Sequence, residues 1–181
     1  MDNGKEDFSL YLCSRFINVT TMKKLFAMTL ALFVTSMTWA QNQTEKTMEQ
    51  NLNEVAAFLK ECHVFYIATV EGNQPRVRPF GVAEIVDGKL YLTTGRKKDV
   101  YKQIEANEGR FEICAQKDGE WLRISGRLVD DDNAEVRQTI LDRHKFSSLY
   151  SANDGIFVTP YIADGEARFC SFNGEERRVK F

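Results

Sequence analysis

Two dipeptides, Asp87-Gly88 and Asp118-Gly119, narrow the folds open to this chain more than any other feature. Each separates two runs rich in β-branched and aromatic residues: residues 76–86 from Lys89-Leu-Tyr-Leu-Thr-Thr94, and residues 111–116 from residues 121–129. A two-residue Asp-Gly loop adopts the turn whose twist matches that of two antiparallel strands, so both sites predict hairpins. A further run, VFYIATV over 64–70, ends at the turn Glu71-Gly72-Asn73. The last strands are predicted over 156–162, 167–172 and 177–181, with turns at Gly165 and Gly174. Pro79 lies inside the second strand and predicts a bulge or an unpaired backbone there.

Helices are fewer. Thr47-x-x-Gln50 has the form of a capping box. Met48, Leu52, Val55, Leu59 and Cys62 follow at helical spacing and predict one apolar face. Short helices are expected over 98–107 and from Asp132, with Glu135 in its first turn, to about His144. Many short strands with interspersed helices predict a mainly β (α+β) domain, a barrel with helical covers. Alternating parallel βα units and the glycine motifs of dinucleotide and nucleotide folds are absent.

The first forty residues read differently. Met22-Lys23-Lys24 precedes an apolar stretch from Leu25 to Val34, and small residues lead to Ala40 before Gln41. That is the layout of a secretory signal, and the stretch is shorter than the roughly 20 residues of a membrane span. Residues 22–40 are therefore expected to be a signal peptide, residues 1–21 to precede the true start codon, and residues 41–181 to form the exported domain. This domain carries 20 basic and 23 acidic residues. Such a balance argues against nucleic-acid binding, which calls for a basic surface. Its three cysteines, Cys62, Cys114 and Cys170, have no metal-ligand spacing and read as small buried residues, although export leaves one disulfide pair possible. No metal site is expected. His63 and His144 read as structural or surface residues, and Asp130-Asp131-Asp132 as the cap of the next helix.

Two segments carry candidate chemistry. In Pro75-Arg76-Val77-Arg78-Pro79, residues two apart share a strand face, so Arg76 and Arg78 project together. They need water, carboxylates or an anionic ligand, and a solvated edge strand explains them as well as a binding site does. In Thr93-Thr94-Gly95-Arg96-Lys97-Lys98, hydroxyls and three cations run directly into a helix N-terminus. Cations oppose the helix dipole there, and an anion such as a phosphate ester reconciles them.

The order FYIATVEGNQPRVRPFG, DGKLYLTTGRKKDVYKQI, FEICAQ, WLRISGRL, ARFCSFNGE resembles the pyridoxamine 5′-phosphate oxidase-like FMN-binding split β-barrel proteins, over about 49–181. The resemblance implies a homodimer holding FMN at the subunit interface. It places Arg76, Val77, Arg78 and Pro79 beside the isoalloxazine ring, Thr93 and Thr94 around the ribityl chain and phosphate, and Lys97 and Lys98 on the phosphate. Trp121 and Arg123 match a region that approaches the flavin from the partner subunit. The family's vitamin B6 oxidases carry a further C-terminal Arg- and Trp-rich segment, whereas this chain ends at Phe181; B6 oxidation is not expected. An export signal also departs from the usual cytoplasmic setting. No side chain stands out as a general base. The expected function is that of an FMN-dependent oxidoreductase acting on a small molecule; the alternative is a non-catalytic module binding FMN, haem or another anionic planar ligand.

Overall fold

The computed structural model describes residues 47–181. The signal peptide, the segment before it and the first residues of the exported chain lie outside the described residues. Helix α1 covers residues 47–62. The strands β1 (Phe65–Glu71), β2 (Gln74–Phe80), β3 (Ala83–Val86), β4 (Lys89–Leu92) and β5 (Thr94–Gly95) follow, then helix α2 (Asp99–Ala106). Next come β6 (Arg110–Lys117), β7 (Glu120–Val129), helix α3 (Ala134–His144), a single 3-10 turn over Phe146–Ser148, β8 (Phe157–Val158), β9 (Tyr161–Ser171) and β10 (Glu176–Lys180).

Eight strands make one antiparallel sheet in the order β2-β1-β6-β7-β9-β4-β3, with β10 also paired to β9, and it curls into the expected split β-barrel. β5 and β8 form a separate short ladder. Both Asp-Gly hairpins are present, with Asp87 and Gly88 at φ +47° and +72° and Asp118 and Gly119 at +50° and +81°. The inner face carries Phe65, Ile67, Ile113, Leu122 and Ile124, and α1 lays Leu52, Val55, Phe58 and Leu59 onto it. Each such large side chain contributes about 1.5–3 kcal/mol through removal of apolar surface from water. A smaller cluster joins Val136, Ile140 and Leu141 of α3 to Val82, Tyr91 and Phe157.

Several expectations are corrected. The run 76–86 is two strands, β2 and β3, broken at Gly81-Val82. Pro79 sits inside β2 opposite Tyr66, and β2 tolerates it because it is an edge strand. Gly165 makes no turn. β9 runs straight through it, with Asp164 at φ +53° beside the register shift opposite Ser125 and Arg127. Glycine there leaves room for the Phe181 ring, which a Cβ would approach to 2.7 Å and push aside.

The cap of α3 is Asn133, whose side chain accepts from the amides of Glu135 and Val136. The three preceding aspartates instead pair with cations: Asp130 with Arg96, Asp131 with Lys89 and Asp132 with Arg137. Cys114 is exposed rather than buried, because β6 turns it to the outer face with its neighbours Tyr66 and Arg123. Among the described residues, no helix is long and apolar enough to cross a membrane.

Candidate functional site

The site is built where the β5–β8 ladder hands the chain over to α2. Thr94 and Gly95 pair with Val158 and Phe157, and the Arg96 amide bonds the Ile156 carbonyl at 2.8 Å. Lys98 then serves as N-cap without a side-chain cap, and its own amide reaches back to Gly95 O at 2.9 Å. The Asp99 and Val100 amides have no acceptor among the described residues, as the start of a helix requires. The Lys98 stem packs over Gly95, about 3.6 Å from where a Cβ would stand.

These groups open onto a cleft of about 450 Å³ lined by Arg78, Pro79, Thr93, Thr94, Lys98 and the first residues of α2, with Phe80 and Gly81. Within it, the Thr94 hydroxyl is buried and lacks any hydrogen-bond partner. A buried orphan hydroxyl costs about 1–3 kcal/mol unless a ligand satisfies it. Lys98 forms no ion pair among the described residues. The one carboxylate on the cleft wall, Asp99, is held by Lys102 at 3.1 Å. A smaller compartment of about 190 Å³ shares Thr93, Thr94 and Lys98 and is otherwise apolar, walled by Phe146, Leu149, Tyr150 and Phe157.

Five of the ten candidate residues therefore meet in one place: Arg78, Pro79, Thr93, Thr94 and Lys98. The other five stand apart from this cleft. Arg76 shares the strand face of Arg78 but is bound to Glu71 at 2.7 Å. Lys97 is exposed. Val77 points to the outer face of the sheet. Trp121 and Arg123 also lie on that face, the first packed on Phe172 with ring centroids 5.1 Å apart, the second paired with Glu112.

Arg96, the first cation of the triplet, is taken up internally. It donates to the Tyr101 hydroxyl at 3.0 Å and pairs with Asp130 at 3.3 Å. Burial and the Asp130 carboxylate hold the Tyr101 phenol well above its usual range, so it stays a donor to that carboxylate. The residues that sequence reasoning missed are Thr69 and Gln103, the buried partners of Arg78. Their signal is only a threonine on a strand and a glutamine on the buried side of α2.

A larger groove of about 490 Å³ separates α1 from the β9–β10 hairpin. Its walls carry Glu54, Glu61, Glu120, Glu175 and Glu176, and its two cations, Lys117 and Arg177, are already paired with Glu61 and Glu54. It repels an anion, so the smaller cleft is the better site.

The donor set of that cleft suits a phosphate monoester carried on a ring system. It offers two cations, two free helix amides and two hydroxyls, in a volume within the range of about 300–1,000 Å³ usual for cofactor sites. Lys98 and the start of α2 stand together at one end of the cleft as groups that suit a phosphate, and Arg78 with Pro79 lies along the adjoining wall.

Comparison with known proteins agrees with this architecture. Residues 52–169 match the profile of the pyridoxamine 5′-phosphate oxidase family. A NimC/NimA family protein from Clostridium acetobutylicum is 38% identical, with a TM-score of 0.71 over 77% of this chain and 98% of that one. Two more distant structures share the fold. A protein related to general stress protein 26, also from Clostridium acetobutylicum, is 14% identical with TM-score 0.56, over 74% of this chain and 96% of that one. A heme binding protein from Mycobacterium smegmatis is 15% identical with TM-score 0.52, over 69% of this chain and 57% of that one. No curated protein matches the chain.

Proposed function

Because the chain belongs to the pyridoxamine 5′-phosphate oxidase family, we propose that its cleft binds FMN and that the protein is a flavin-dependent oxidoreductase acting on a small molecule. The observation that carries this reading is the convergence of Arg78, Lys98, the orphan Thr94 hydroxyl and the free amides of α2 on one cleft. Bound FMN supplies the hydride and electron transfer. The chain's part is to hold it: Lys98 and the α2 amides neutralise the phosphate, while Arg78 sets a positive charge beside the ring.

The resemblance assigns Trp121 and Arg123 to the flavin of a second subunit, and the outer face supports that assembly. Tyr66 and Val77 are 53% and 63% exposed there, two apolar side chains on one face that a partner subunit would cover. We therefore include homodimerisation in the proposal, with these residues inside the interface.

The alternative is a module that binds a planar anion without turnover. Haem is the less suitable ligand, since the cleft is lined by no His, Cys or Met to ligate iron. The layout of residues 22–40 supports export, with a mature chain beginning at Gln41.

Mass spectrometry of the small molecule released from purified protein tests the reading, together with FMN titration of the stripped protein. FMN in the extract, or saturable uptake with competition by inorganic phosphate, supports it. A colourless protein that ignores added FMN refutes it. If FMN is bound, donor and acceptor assays separate the enzyme from the inert module.

A further inference from the structure

Eleven arginines lie among the described residues, and ten of them form an ion pair with an Asp or Glu: Glu71 takes Arg76, Asp130 takes Arg96, and the rest follow the same rule. Arg78 is the exception. Its guanidinium is held entirely by uncharged acceptors. Nη1 donates to the Thr69 hydroxyl at 2.6 Å and to the Arg76 carbonyl at 3.3 Å, and Nη2 donates to Gln103 Oε1 at 2.6 Å. The Thr69 hydroxyl in turn donates a hydrogen bond to the same Gln103 oxygen at 2.7 Å. Thr69 and Gln103 are 3% and 6% exposed.

This arrangement is specific in its chemistry. Arginine has only donors, so the carbonyl end of Gln103 must face it. Glutamate has nearly the same shape as glutamine and would form a stronger, charge-assisted pair at that spot. A carboxylate there would also cancel the charge before it reached the cleft. Gln103 rides on α2 three residues beyond Val100, at the cleft wall, so the helix that offers its first amides to the ligand also fixes Arg78.

We propose that Gln103 and Thr69 are positioning residues that hold Arg78 in the cleft with its charge uncompensated, leaving the counter-charge to come from the ligand. The inference rests on the FMN reading for the identity of that ligand. Arg78 then favours the form of the bound ring that carries negative charge, which for a flavin is the reduced form, over the neutral oxidised one.

Gln103→Glu tests this, with Gln103→Met as a near-isosteric variant that removes the acceptor without adding charge. The stripped proteins are titrated with FMN over a range of NaCl concentrations, and the midpoint potential of the bound flavin is measured. Gln103→Glu is expected to weaken FMN about 10- to 100-fold, as a neighbouring counter-charge does to an anion site. It should also make the slope of log Kd against log salt shallower, because the site then carries less net positive charge for salt to screen, and lower the flavin potential. Gln103→Met should lose less affinity and keep the wild-type salt slope. A Gln103→Glu protein with wild-type affinity, slope and potential overturns the inference while leaving FMN binding intact.

If wild type takes up no FMN, the flavin reading fails separately, and inorganic pyrophosphate decides the charge claim by thermal shift. Protection of wild type that is lost in Gln103→Glu upholds the inference; equal protection of both, or of neither, overturns it.

Discussion

Replacing Gly109 by alanine is expected to destabilise the fold by about 4 kcal/mol, near the top of the range for single substitutions. Gly109 follows α2 at φ +78°, its amide closing the helix on Ile104 O at 2.8 Å, while its carbonyl accepts from the Leu128 amide at 2.8 Å. A Cβ would stand 2.5 Å from Leu128 O and 3.0 Å from Leu128 N. Both obstacles are backbone of β7, which pairs with β6 up to Arg127 and with β9 through Leu128 and Val129, so neither yields by a rotamer change. The left-handed conformation and the clash each contribute on the order of 1–3 kcal/mol. For a domain of this size that amounts to about 10 °C in Tm, read by thermal or urea unfolding. Gly72 supplies the contrast: at φ +58° it has nothing within 4 Å of a Cβ, so Gly72→Ala should cost only about 1 kcal/mol. Equal Tm values for the two variants would contradict the packing argument.

The second large effect concerns binding. Arg78→Ala with Lys98→Ala should reduce FMN affinity at least about 100-fold, since each charge-assisted hydrogen bond contributes about 1.5–3 kcal/mol. Lys97→Ala, which removes an exposed cation outside the cleft, should change affinity by less than about threefold at physiological salt. Fluorescence titration measures both variants, and an unchanged Tm shows that the double variant is folded. Unaltered affinity in a folded double variant would move the site elsewhere.

Much of the barrel was readable locally, and the reason lies in particular residues. Asp87-Gly88 and Asp118-Gly119 need only their own backbone preferences to turn, and Val55 and Leu59 announce their burial by spacing alone. What escaped depends on partners distant in sequence. Nothing near Arg96 shows that Asp130, thirty-four residues on, removes it from the basic triplet. Arg76 and Arg78 look equivalent in a strand, yet one faces Glu71 across a hairpin and the other meets a glutamine from α2. Gly165 reads as a turn because a glycine that leaves room for a ring, Phe181, looks the same in sequence as one required by backbone direction. Of the site, the phosphate end was local and therefore visible, whereas the grip on Arg78 was not.

The edge position of β2 has a consequence for the protein's behaviour at high concentration. Pro75 and Pro79 are four residues apart, so they address the same side of the strand, and having no N–H they contribute no donor to either neighbour. With β1 occupying the inner side, the outward row keeps Val77 as the one amide donor between them. A foreign strand laid along this border would find gaps where its ladder needs donors, so runaway strand addition is blocked at the rim that also carries Arg78. Pro79 on the cleft wall and Pro75 beyond it thereby limit strand addition at this rim while its exposed side chains remain free for a more selective contact.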